Sequence, residues 1–167
     1  MPGNYYYLLS YRVGKLRYLF NLWLNLNNSI KKISTRGVNF PEAISENAFC
    51  LFFDAVRIVK LKKGKCSFDC INIKTGERIQ IKASSVKYDL TSFGPRSEYD
   101  KLYFLDFSKL DGSFKVYDID PNMIYKFKVN KKQLFSEQQE QGKRPRFGIM
   151  KNLIETNSIK PIKICKL

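Results

Sequence analysis

The sequence predicts an α/β domain, or an α+β one, with a mixed β-sheet at its centre and helices on its flanks. Three observations carry that expectation. Apolar residues recur at helical spacing early in the chain, runs rich in β-branched and aromatic residues form two hairpin patterns in the middle, and a polar helix with a glycine stop follows. With 167 residues, 44% of them hydrophobic, the chain can bury one core. Residues 1–167 therefore read as a single domain, a helical region over 1–35 followed by a core over 36–167.

The elements follow in order. Val13, Leu16, Leu19, Phe20, Trp23, Leu24 and Ile30 give a first helix over residues 12–33. The run YLFNLWLNLNN within it is too short and too interrupted by Asn to cross a bilayer. Gly37 breaks this helix; Asn39 with Glu42 fits a capping box, and Pro41 is tolerated in a first turn. A second helix is expected over about residues 40–60, burying Ile44, Ala48, Phe49, Phe52 and Val56. KKGK (62–65) is a turn. Strands over 66–73 and 77–84 join through Lys74-Thr75-Gly76, and KLYFLDFS and SFKVYDI, split by KLDGS, form a second hairpin. Pro121 opens a short helix, and NKKQLFSEQQEQGK is a polar helix that Gly142 stops. RPRF, a mixed segment and a terminal strand in IKPIKICKL complete the chain.

Charge narrows the function. Thirty Lys and Arg face 15 Asp and Glu, a formal +15, far more than solubility needs, and a polyanionic partner is the natural inference. The absence of histidine excludes histidine general-base catalysis, Cys₂His₂ zinc sites and HNH-type nucleases. Cys66 and Cys70 would share a strand face, while Cys50 falls in an apolar helix and Cys165 near the end; all four read as reduced thiols of a cytoplasmic protein. No signal peptide is evident at the start.

The stretch SFDCINIKTGERIQIKASS (67–85) carries the chemistry. Asp69 is the only carboxylate on the first strand of its hairpin, and Gln80 and Lys82 share a face of the second because strand side chains repeat every two residues. Ile81 between them turns to the core, leaving its carbonyl free. Phosphodiester hydrolysis needs a hard cation on oxygen ligands, a positioned water and positive charge against the developing phosphorane. Asp69, Gln80 and the Ile81 carbonyl offer the first, Lys82 the last.

This Asp-x10-Gln-x-Lys hairpin resembles the active-site hairpin of the PD-(D/E)XK nuclease superfamily, with Phe68 in place of the usual Pro and Gln80 in place of the acid. RGVNFPEAISE, SFGPRSEYDKLYFLDF and EQQEQGKRPRFGI, together with the hairpin, resemble small type II restriction endonucleases of that superfamily, whose type member cuts GC-N-GC. The likeness spans residues 35–150, the first 30 residues adding nothing to it. The resemblance implies a restriction-endonuclease-like fold, a Mg²⁺ cofactor, double-stranded DNA as substrate, a homodimer, a cognate DNA methyltransferase as genetic partner and no membrane association. It also implies an extra acid from the preceding helix to offset Gln80. Glu42 and Glu46 lie on one helical face. Glu42 has the competing role of a cap and Glu46 none, so Glu46 is expected to join Asp69, Gln80 and Ile81 at the metal, with Lys82 orienting or deprotonating the attacking water.

DNA contacts are expected from Lys143, Arg144 and Arg146 around Pro145, from the nearby Gln138 and Gln141, and from Thr91, Ser92 and Arg96 in DLTSFGPRSE. Ser84 would touch phosphate or simply end its strand. The region 1–35 would serve dimerisation or act as a DNA arm. Two alternatives stay open: a structure-specific repair or junction-resolving nuclease, and a non-catalytic basic module.

Overall fold

The structure is a computed structural model that describes residues 3–58 and 68–167, with side chains from residue 12 onward. Its first helix, α1 (Gly3–Lys31), starts nine residues before the expected one and ends two before it. Leu16, Phe20 and Trp23 are its core-facing residues, whereas Leu19 is exposed, contrary to its expected place on that face. Asn27 is buried with them, and its Oδ1 accepts the Val38 N–H at 2.9 Å. Gly37 lets the chain cross that close: a Cβ there would meet Asn27 Oδ1 at 2.0 Å.

The second helix is shorter than expected. α2 (Glu42–Phe52) ends where β1 (Ala55–Arg57) begins, and Pro41 rather than Asn39 is its N-cap, with no side-chain capping bond. Val56, expected on the buried face of that helix, is a half-exposed strand residue opposite Ile71. An apolar residue in register with a helix fits a strand equally well when a partner strand is near, and here pairing decides. β2 (Cys70–Asn72) begins later than the expected strand 66–73; residues 66–67, the turn at 62–65 and Cys66 lie outside the described residues.

The remaining elements are β3 (Arg78–Ser84), β4 (Thr91–Ser92), β5 (Lys101–Asp106), β6 (Ser113–Ile119), α3 (Pro121–Tyr125), α4 (Phe135–Glu140), β7 (Arg146–Phe147), a π-helical turn (Met150–Glu155) and β8 (Lys163–Lys166). Asp120 caps α3 through the Asn122 N–H at 2.9 Å, and Gly142, at φ +69°, stops the chain beyond α4. The polar segment expected to be helical from its start is so only over α4.

Six strands form a mixed sheet in the order β1-β2-β3-β5-β6-β8. Only β3 and β5 are parallel; the other neighbours are antiparallel. The expected mixed sheet flanked by helices is therefore present. Alternation sorts its side chains. Ile79, Ile81, Leu105, Phe114 and Val116 pack with α1 and α2 on one face. Leu102, Phe104, Tyr117 and Ile119 pack on the other with Phe93, Phe135 and Phe147, under α3, α4 and the β4–β7 pair. Among the described residues no helix is long and apolar enough to cross a membrane.

Candidate active site

The hairpin of β2 and β3 is uneven, and that unevenness makes the site. Pairing between them stops at Cys70↔Ile79, while β3 runs on to Ser84. Asp69 sits at the end of the ladder, its N–H donating to the Ile79 carbonyl at 2.9 Å and its carbonyl accepting from Ile58 at 2.9 Å. Its carboxylate then takes the place of the missing strand. Oδ2 accepts the Ile81 N–H at 2.7 Å and a hydrogen from the Gln80 amide nitrogen. The N–H and C=O of one strand residue point the same way, so the Ile81 carbonyl also faces this open side. Among the described residues the second Asp69 oxygen has no protein donor, and the Gln80 carbonyl oxygen is left over by the same contact.

The Asp69 carboxylate, the Gln80 amide and the Ile81 backbone are thus neighbours at the end of the ladder. Among the described residues there is no group of three His, Cys, Asp or Glu able to hold a metal ion. One carboxylate, one amide oxygen and one carbonyl are nevertheless the hard donors that Mg²⁺ accepts, since it keeps several waters and takes only one or two carboxylates alongside substrate phosphate. The chain's residues fit such an ion.

Burial sets the electrostatics. The Asp69 carboxyl is pushed up to about 6, chiefly by desolvation, with Glu46 adding to the rise while the Ile81 N–H and Lys82 oppose it. Burial holds the Lys82 ammonium below its ordinary value, against the pull of Asp69, Glu42 and Glu46. Both acids of α2 thus act on Lys82 through their charge. Their standing differs from the expected one. Glu46 is buried and paired to Arg57 of β1, a partner that the sequence reading did not foresee, and that bond raises the arginine. Glu42 is exposed in the first turn of α2 and forms no capping box with Asn39. The premise that ranked Glu46 as the acid without another role does not hold. Next to this cluster the Cys50 and Cys70 thiols lie 3.5 Å apart, both reduced, as is Cys165.

The two segments expected to touch DNA come together. β4 and β7 pair as a separate two-stranded ribbon with Thr91 opposite Phe147 and Ser92 opposite Arg146, and the Phe93 N–H donates to the Pro145 carbonyl at 3.1 Å. Beside it opens a cleft of about 1110 Å³ lined by Asp69, Gln80, Pro95, Arg96, Gln139 and Arg144 among others. Arg144 and Arg96 thus share a wall with the catalytic candidates, while Arg146 and Lys143 are exposed on the ribbon and its approach. Gln138 and Gln141 bond to Gln133, at 3.2 and 3.0 Å. Gln139, the third glutamine of this helix, donates to the Gly94 carbonyl at 2.7 Å and ties α4 to the arginine loop. Ser84 is buried, and its hydroxyl closes the turn after β3 by donating to the Val86 carbonyl at 2.7 Å.

Glu46→Gln is expected to lower stability by about 1–3 kcal/mol, because it removes the charge that pairs with the Arg57 guanidinium, while Glu42→Gln should change it little. Urea unfolding in metal-free buffer checks this. Equal stability of the two variants would show the ion pair to be of no consequence.

Residues 10–156 match the family described as Bsp6I restriction endonuclease. The type II restriction enzyme Bsp6I of Bacillus sp. (strain RFL6) is 40% identical over 144 residues, which cover 84% of this chain and 80% of that enzyme. No solved structure matches. The family match begins inside α1, so the likeness is wider than the expected residues 35–150. The reason is structural: Leu16, Phe20 and Trp23 make α1 part of the core rather than an appendage.

Proposed function

Since this chain belongs to the Bsp6I restriction endonuclease family, and is thereby a type II restriction endonuclease acting on double-stranded DNA, we propose that its cutting centre is the open flank of β3. Type II restriction endonucleases generally use a divalent metal. Here Mg²⁺ is the ion proposed, held by Asp69, Gln80 and the Ile81 carbonyl. When bound, it supplies Lewis acidity toward the scissile phosphate and its water. The observation that carries this reading is the Asp69 carboxylate docked on the Ile81 N–H and the Gln80 amide where β2 gives out, with the half-buried Lys82 next along the same strand.

The chain's own groups then divide the work. Lys82 directs hydrogens at the attacking water and at the phosphate oxygens on which charge builds. Asp69, Glu42 and Glu46 offset its positive charge, which keeps an ammonium tolerable in a half-buried place. Because Arg57 offsets Glu46, Glu42 is the acid better placed to compensate for Gln80. Raised Mg²⁺ demand is therefore expected of Glu42→Gln rather than of Glu46→Gln, read as single-turnover rates over a Mg²⁺ series; the opposite ranking returns the role to Glu46.

Arg144 and Arg96 meet DNA from the cleft wall, Arg146, Lys143, Thr91 and Ser92 from the ribbon, and the diffuse +15 charge attracts the polyanion as a whole. A homodimer supplies one such centre per strand, and a cognate methyltransferase would protect the host's own sites. Digestion of unmethylated plasmid and phage DNA with Mg²⁺, followed by end sequencing, tests the reading. Discrete fragments with one sequence at their ends are expected; cutting that follows junctions or mismatches would replace it with a structure-specific nuclease.

Arg144→Ala should cost ~1–3 kcal/mol on the cut sequence and shrink discrimination against near-cognate sites, more so than Arg146→Ala. Equal losses on cut and random duplexes, with the salt slope reduced by about one, would make both arginines phosphate anchors.

A further inference from the structure

We propose that Phe93 is a positioning residue for cleavage: the face of its ring fixes the Lys82 ammonium. The inference rests on the reading of Lys82 given above. Lys82 Nζ lies 5.2 Å from the Phe93 ring centroid, within the range at which an ammonium is attracted by a ring face. Among the described residues it forms no hydrogen bond or ion pair, so beside the longer-range pull of Asp69, Glu42 and Glu46 the ring is its direct contact.

That ring cannot turn aside. Phe93 is fully buried, stacked on Phe147 with 5.7 Å between centroids and 10° between planes, and met edge-on by Phe135 at 5.0 Å. Its main chain is gripped on both sides: Ser92 pairs with Arg146, the Phe93 N–H holds the Pro145 carbonyl, and the Gly94 carbonyl accepts from Gln139. The ribbon that presents the arginines therefore also carries the seat of the lysine.

The choice of an aromatic seat has a chemical reason. A carboxylate would hold the ammonium by its N–H groups and take donors away from the reaction. A ring face attracts the charge and leaves all three N–H donors for water and phosphate. It also restrains a side chain of four rotatable bonds that otherwise disperses over many rotamers.

The test replaces Phe93 by 4-fluoro-, 3,5-difluoro- and 3,4,5-trifluorophenylalanine, which drain the negative ring face stepwise at nearly constant shape. Single-turnover cleavage is measured on a plasmid that the native enzyme cuts, DNA affinity with Ca²⁺ in place of Mg²⁺, and thermal stability in parallel. The rate is expected to fall stepwise to about three- to tenfold below native, with affinity and Tm unmoved. A flat rate across the series, or a rate that falls only together with affinity and Tm, overturns the proposal. Lys82→Ala separates the two failures. If that variant still cuts, the reading of Lys82 is at fault; if it does not and the series is flat, Phe93 alone is.

Discussion

Asp69→Asn is expected to abolish cleavage while making the metal-free protein more stable. The carboxylate is the only full negative charge among the oxygens proposed to hold the metal, and its loss should cost on the order of a thousandfold or more in rate. Its amide replacement can still accept the Ile81 N–H, so the end of β2 should stay docked on β3. The stability effect follows from the shift of the carboxyl to about 6, mainly by burial. A folded value above the unfolded one means that ionisation opposes folding. Below about pH 4 the carboxyl is neutral in both states and nothing is lost; between about pH 4 and 6 the unfolded chain releases its proton first, and stability falls; above 6 the penalty is complete, at most about 3 kcal/mol. Asn has no such slope. Thermal unfolding in EDTA from pH 4 to 8 should show native and variant together at the acid end and the variant higher by several degrees above pH 6. Near-normal cutting by Asp69→Asn would remove the whole site assignment, and identical pH curves would remove the buried carboxylate from the account.

Lys82→Met should lose cleavage by about a hundred- to ten-thousandfold, the range in which a positioned proton donor or charge stabiliser acts. Methionine keeps an unbranched side chain over the Phe93 ring and deletes the charge alone. Because burial already disfavours that ammonium, removing it should leave the fold intact and its stability equal or higher. Affinity for DNA should hardly change, since one half-buried charge of a +15 chain is withdrawn. Retained cutting with weakened binding would make Lys82 a phosphate contact; retained cutting with unchanged binding would make it a core lysine.

The geometry of the hairpin was legible because it is local. Strand alternation puts Gln80 and Lys82 on the face opposite to Ile79 and Ile81, the turn at Gly76 has the positive φ of +74° that glycine tolerates, and helical spacing brings Glu42 and Glu46 to one side. Each of these depends on residues a few places apart, whose geometry the backbone fixes. By itself the sequence thus determined the hairpin and the chemical groups that it presents.

Tertiary structure decided what those groups meet. Whether the chain after Phe52 continued as helix depended on whether β2 was there to pair with Ala55–Arg57, and with that strand came the partner of Glu46. Ser92 and Arg146 stand opposite one another only because the cluster of Phe93, Phe135 and Phe147 draws two distant segments into one core, and the same packing slides Phe93 beneath Lys82. Such contacts leave no local pattern. Hydrophobic burial is non-directional, so an alternating run shows which side chains go inward without showing which neighbour they will find there.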